Sequence, residues 1–168
     1  MAVNSKYEET IKNFSSADQD YNLWVLLQQV GHAAFKARQK ELNQYGISNM
    51  QAMVLFVIQA IGNKATPAEI SRWVFREPHS VSGLLSRMEK DGLVRKVKDL
   101  GRKNLVRVAL TEKGQQVYHQ STKIKSIRKV ISSLSEEERR QLGSCLETLR
   151  NEAFKELGVE RKPPFPQL

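Results

Sequence analysis

A chain of 168 residues with one cysteine, Cys145, can close no internal disulfide and assemble no cysteine-rich metal site, yet is long enough to bury a core without either. The longest apolar run, AMVLFVI at 52–58, is far too short to cross a bilayer, and MAVNSKYEET at the start lacks an apolar signal core. The net charge of +9 is uneven: residues 64–113 hold 12 Lys and Arg against 6 Asp and Glu, which predicts attraction to a polyanion or, more simply, a solvated surface.

Residues 1–17 are polar and read as a loose lead-in or a short helix. From Asp18 or Asp20, Leu23, Leu26, Leu27, Val30, Ala34 and Ala37 recur at helical spacing, and Trp24, Gly31 and Phe35 add a second stripe, so this helix needs two partners. Tyr45-Gly46 ends it. Ser48 and Gln51 then form a capping box for AMVLFVIQAI, a nearly all-apolar helix suited to the centre of a fold. Thr66-Pro67-Ala68-Glu69 starts a short helix: Thr66 caps, Pro67 suits the first helical position, and Glu69 can reach back to the cap amide. Its expected buried stripe is Ile70, Trp73 and Val74. A further helix starts at Pro78, buries Val81, Leu84, Leu85 and Met88, and stops at Asp91-Gly92.

The periodicity then changes to that of strands. LVRKVK, a DLGRKN turn and LVRVAL make a hairpin with a basic tip. Thr111 begins a long helix whose Val117, Ile124, Ile127, Val130 and Ile131 suit one buried face. Ser135 and Glu138 cap a last helix carrying Leu142, Leu146, Leu149, Ala153 and Leu157. ERKPPFPQL closes the chain as a Pro-rich, disordered or extended tail. Neither an internal repeat nor a low-complexity segment is present.

Helix, turn, helix and basic hairpin in that order make a winged helix-turn-helix, whose second short helix can enter a major groove while the hairpin reaches a neighbouring groove or phosphates. At 100° per residue, Val81, Leu84, Leu85 and Met88 share one side of that helix. His79, Gly83, Ser86 and Lys90 lie opposite, flanked by Ser80, Ser82 and Arg87. Small residues on the outer face permit close approach to a groove floor. Serine can bond to base edges or phosphates, and Arg87 and Lys90 can neutralise phosphate charge. Gly83 costs roughly 1 kcal/mol of helix stability relative to Ala, a cost consistent with clearance for DNA; the competing explanation is clearance for a neighbouring helix.

ATPAEISRW, EPHSVSGLLSRMEKDGLVRK and VRVALTEKG resemble the helix-turn-helix, recognition helix and post-wing helix start of the MarR family of transcriptional regulators. The resemblance covers most of the chain, and GLVRK followed by LTEKG across a basic turn is its most specific part. It implies a mainly α fold with a small β-hairpin wing, the winged helix-turn-helix being flanked by N- and C-terminal dimerisation helices. Within a single domain, 1–168, it assigns 18–45 and 111–157 to dimerisation, 48–110 to the DNA-binding lobe and 158–168 to a flexible tail. Ser80, Val81 and Ser82 fall on the family's small polar stretch, and Met88 and Gly92 on its usual Leu and Gly. Two positions depart from the pattern: Gly83 stands where Arg is common, and Arg102-Lys103-Asn104 replaces the usual Asp-x-Arg of the wing tip.

The implied function is a cytoplasmic, homodimeric repressor of a pseudo-palindromic site on double-stranded DNA, with room for release by a small-molecule effector and no membrane partner. The expected DNA contacts are His79, Ser80, Ser82, Gly83, Ser86, Arg87, Lys90, Lys98, Arg102, Lys103 and Arg107, with Arg95 and Lys96 nearer the hairpin base. Two rival readings are a winged-helix protein-interaction module and a nonspecific architectural DNA binder.

Other candidates read as structural. His32 and His119 lack acidic or thiol companions, so neither a metal nor a cofactor is expected. Cys145 sits on the apolar side of the last helix, where a buried, unreactive cysteine is the expectation. Trp24, Phe35, Met50 and Met53 could line an effector pocket but more often make plain core. Glu136, Glu137 and Glu138 favour a helix N-terminus, and no phosphate loop, nucleophile elbow or paired carboxylates point to an enzyme.

Overall fold

The computed structural model describes residues 19–98, 106–164 and 166. In chain order they form α1 (Gln19–Leu42), a 3-10 turn (Asn43–Tyr45), α2 (Asn49–Ile61), a second 3-10 turn (Gly62–Lys64), α3 (Pro67–Val74) and α4 (Pro78–Lys90). Strands β1 (Val94–Lys98) and β2 (Val106–Leu110) follow, then α5 (Glu112–Ser121), α6 (Lys125–Ile131) and α7 (Glu136–Glu156). The architecture is thus mainly helical with one antiparallel hairpin, in register from Val94↔Leu110 to Lys98↔Val106. No single helix among the described residues is long and apolar enough to cross a membrane.

The chain divides into two compact units, residues 1–37 and 38–168. In the first, the described part of α1 turns Leu23, Trp24, Leu26, Val30 and Phe35 outward, all of them more than half exposed. Trp24 and Phe35 are therefore not the buried core residues their spacing suggested, each being more than half exposed. In the second unit, the core gathers Leu42, Ile47, Leu55, Ile70, Leu85, Met88, Val94 and Val108. Helix α2 is its centre, with Val54, Leu55, Val57 and Ile58 buried and only Met53 among its large apolar residues well exposed. Its capping box is complete: the Gln51 amide donates to Ser48 Oγ at 3.2 Å, and the Ser48 amide to Gln51 Oε1 at 2.8 Å.

Local signals and observed geometry diverge at three places. At α3, Thr66 Oγ1 accepts from the Glu69 amide at 3.2 Å, but the Glu69 carboxylate does not return to the cap. It lies 2.6 Å from Arg72 and 3.4 Å from Arg161 of the C-terminal segment, because two guanidinium groups outcompete one neutral amide for a carboxylate. On α7, Leu142, Cys145, Leu146 and Leu149 are exposed, so Cys145 is not the buried hydrophobe its apolar neighbours suggested.

The third divergence is the helix expected from Thr111 through Ile131, which is split into α5 and α6. Ile124 sits between them at φ +43°, a left-handed conformation that a β-branched residue rarely adopts. Two side chains of α1, more than eighty positions earlier, occupy the break. Arg38 donates to the Ser121 carbonyl at the end of α5, while Glu41 accepts from the Lys125 and Ser126 amides at the start of α6, both at 2.9 Å. The Ser126 hydroxyl also donates to Glu41. A cation at a helix C-terminus and an anion at a helix N-terminus are the arrangement that helix dipoles favour, and the pair satisfies polar groups that a continuous helix would have paired internally.

Candidate nucleic-acid interface

Helices α3 and α4 meet through a turn that carries strain. Phe75 adopts φ +50° where glycine would be usual, and its ring lies 4.8 Å from that of Phe154 on α7. The turn is closed by the Arg76 amide donating to the Ser71 carbonyl at 3.1 Å and by the buried Ser71 hydroxyl donating to the Arg76 carbonyl. Pro78 then occupies the first turn of α4. Val81, Leu85 and Met88 anchor that helix almost completely buried, with Leu84 half-buried beside them.

The opposite face is open. His79, Ser80, Ser82, Gly83, Ser86, Arg87 and Lys90 are all exposed. Among the described residues, a Cβ added at Gly83 would meet nothing within 4 Å, so no helix among them requires glycine there. Gly83→Ala is expected to raise unfolding stability by about 1 kcal/mol, as for any open mid-helix glycine. Thermal or urea unfolding of the variant beside wild type checks it; a loss of stability would mean that the position is packed after all.

Around this face, Arg76 and Arg87 line a groove of about 310 Å³ together with Ser48, Met50, Ser80, Val81 and Leu84. Arg76 was not among the sequence candidates. It lies in the turn between the two helices, and its place beside Ser80 is fixed by the strained geometry at Phe75, which no local spacing shows.

The hairpin sorts its basic residues into two sets. Val94, Lys96 and Lys98 share a face with Val106, Val108 and Leu110, while Arg95 and Val97 share the other with Arg107 and Ala109. Lys98 and Arg95 are exposed. Arg107 is half-buried and donates to the Asn63 carbonyl of the second 3-10 turn, so it ties the tip-proximal part of β2 to that turn. Lys96 is engaged by α4: its amide donates to Glu89 Oε1 at 3.1 Å and its Nζ lies 3.0 Å from Glu89 Oε2. Those contacts hold the Glu89 carboxyl below its ordinary range, the side-chain hydrogen bond from Lys96 being the main cause. Arg102 and Lys103, at the expected wing tip, lie outside the described residues.

The base of the wing is closed by Thr111. Its amide donates to the Leu93 carbonyl at 3.1 Å, its hydroxyl to the Gly92 carbonyl at 2.5 Å, and Oγ1 accepts from the Gly114 amide at 3.0 Å to cap α5. A buried core, an open small-residue helix face, flanking cations and a braced hairpin together form a surface shaped to lie against a polyanion.

Comparison with known proteins agrees with this geometry. The sequence profile of the MarR family matches residues 45–107, the span from the end of the first 3-10 turn into β2. A solved organohalide-sensing RdhR transcriptional regulator, in its 2,4-dichlorophenol-bound form, is 33% identical, with a TM-score of 0.82 over 92% of this chain and 94% of that one. The chain belongs to the MarR family. As a MarR-family protein it is a transcriptional regulator, and its relatives are regulators rather than enzymes. The homoprotocatechuate degradative operon repressor of Escherichia coli is 33% identical over 89 residues, 52% of this chain and 57% of the repressor, so the match spans little more than half of that relative. The MepR–DNA complex of S. aureus shares the fold, with a TM-score of 0.71 at 23% identity over 80% of this chain.

Proposed function

We propose that this MarR-family regulator is a homodimeric repressor that reads a pseudo-palindromic operator, with one α4 helix from each protomer entering successive major grooves about 34 Å apart. The observation that carries the reading is the outer face of α4, where Ser80, Ser82, Gly83 and Ser86 are exposed and Arg87 and Lys90 stand beside them. Side chains this small let the backbone approach base edges, and the cations supply the sequence-independent attraction to phosphates. Arg102 and Lys103 would add phosphate contacts from the wing.

The exposed apolar stripes of α1 and α7 support a second copy of the chain as partner, since Leu23, Trp24, Val30, Leu146 and Leu149 are costly to leave in water. The repressor of Escherichia coli to which the chain is similar supports the sign of regulation. The dichlorophenol-bound relative makes a small phenolic compound the first effector class to assay. Such an effector releases DNA only by binding better to a dimer whose recognition helices are wrongly spaced.

Selection of bound duplexes from a random pool tests the proposal. Recovery of a two-fold symmetric motif is the expected result, with affinity falling steeply as salt rises. Replacing Arg102 and Lys103 by Ala is expected to flatten the log–log salt slope by about 0.9 for each phosphate no longer neutralised. Salt-insensitive or absent duplex binding would favour a protein-interaction module, and binding without preference over bulk competitor would favour an architectural role.

A further inference from the structure

Among the four polar residues that α4 exposes between Ser80 and Arg87, Ser86 differs from the others. Lys96 Nζ, held by Glu89 Oε2 at 3.0 Å, also donates to Ser86 Oγ at 3.4 Å. The backbone amide of Lys96 donates to the same carboxylate at 3.1 Å, so Glu89 engages the lysine at both its amide and its ammonium. An ammonium has three hydrogens and no lone pair, so toward Ser86 it acts only as a donor. One of the two Oγ lone pairs is thereby occupied, and accepting from a cation polarises the hydroxyl toward donating. No acceptor among the described residues takes the Ser86 hydroxyl hydrogen, which is left available to a groove acceptor. Among the described residues Ser80 and Ser82 carry no such contact, and their hydroxyls turn to suit either a donor or an acceptor.

We propose that Lys96 is a positioning residue that sets Ser86 as a hydrogen-bond donor toward the major groove, making Ser86 a specificity-determining residue that favours acceptors and disfavours cytosine. The groove edges of guanine, adenine and thymine offer O6, N7 or O4 acceptors, whereas cytosine presents its N4 amine, a donor. A hydroxyl that already accepts from an ammonium is a poorer acceptor for that amine, and facing it leaves the hydroxyl's own hydrogen unpaired. The inference rests on the DNA-binding reading of α4 and adds to it the chemistry of one base contact. It also removes Lys96 from the set of phosphate contacts, although its charge and its place on the wing would put it there.

The test is duplex selection from a random pool with the full-length wild type, Lys96→Met, Ser86→Ala and the double variant, followed by salt titration on the recovered site. Wild type is expected to disfavour cytosine at one symmetric pair of positions by about fivefold, the scale of a single net hydrogen bond. Lys96→Met is expected to erase that bias while keeping the rest of the motif and the salt slope. In the Ser86→Ala background, the lysine change is expected to have no further effect at that position. Either of two results would overturn the proposal: identical base preferences for wild type and Lys96→Met, or a salt slope reduced by about 0.9 in Lys96→Met, the signature of one phosphate no longer neutralised. A wild-type chain that recovers no duplex at all overturns the DNA-binding reading, and this inference with it. Both side chains of the Lys96–Glu89 pair are 39% exposed, so Lys96→Met leaves the core intact, and matched thermal unfolding of the variants checks this.

Discussion

Gly114→Ala is expected to cost about 3 kcal/mol or more of folding stability, the largest effect of any Gly→Ala change among the described residues. Gly114 sits in the first turn of α5, and a Cβ built there falls 1.9 Å from the Leu93 carbonyl oxygen and 3.0 Å from its carbon. The obstacle is backbone, so no rotamer change relieves it. The Leu93 carbonyl is held by the Thr111 amide, and Thr111 in turn caps Gly114, so displacing either end opens the whole junction between β1 and α5. Overpacking with a single methylene costs about 1–3 kcal/mol where side chains can adapt, and more where they cannot. For a chain of this size, the thermal midpoint falls by roughly 10 °C. Differential scanning calorimetry decides the matter; a midpoint within about 2 °C of wild type would mean that the approach of α5 to Leu93 is loose. Gly83→Ala, expected to stabilise, is the control: the same substitution has opposite signs because one Cβ meets a carbonyl and the other meets nothing.

Glu41→Ala is expected to cost about 3 kcal/mol and to change how stability depends on pH. The carboxylate is little exposed and lies 3.1 Å from Arg38, itself little exposed, so truncation leaves a guanidinium without its counter-charge. It also strips the cap from the first amides of α6. Burial pushes the Glu41 carboxyl up, but hydrogen bonds from the Ser126 hydroxyl, the Ser126 and Lys125 amides and Arg38 outweigh it and hold the pKa at about 2, against an ordinary 4.5. A carboxyl whose folded pKa is depressed contributes fully above the unfolded value. That contribution is therefore complete above about pH 4.5 and is lost as pH falls toward 2. Unfolding free energies measured across that window are expected to drop more steeply for wild type than for Glu41→Ala, the two curves converging at the acid end. Parallel curves would mean that Glu41 titrates alike in the folded and unfolded chain.

Both effects originate at junctions, and junctions are what the sequence expresses least. Helix α4 was legible because its signals are local: Pro78 at the start, Asp91-Gly92 at the stop, and Val81, Leu85 and Met88 at helical spacing between them. The open outer face followed from the same projection, since residues opposite an apolar stripe point to solvent. The hairpin was legible from alternation, and the capping boxes at Ser48 and Ser135 from residue type at a fixed three-residue offset. Each of these depends on chain geometry within a few residues, which covalent structure and helical pitch impose wherever the segment lies in space.

Tertiary structure alone decided the rest. The periodicity of Val117, Ile124, Ile127 and Val130 describes one continuous helix, whereas the chain breaks at Ile124, where Arg38 and Glu41 from α1 take up the freed carbonyl and amides. Glu69 had the spacing of a capping box but faces two arginines, one of them near the other end of the chain. Lys96 has the composition of a phosphate contact, yet Glu89 and Ser86 engage it because β1 runs back along α4. Cys145 and the leucines of α7 have the pattern of a buried face and remain exposed, since a pattern states which side of a helix is apolar and not what will cover it. An apolar stripe, a cation or a small residue acquires its role from whatever meets it at about 3–4 Å, and that distance is set by packing between segments far apart in sequence.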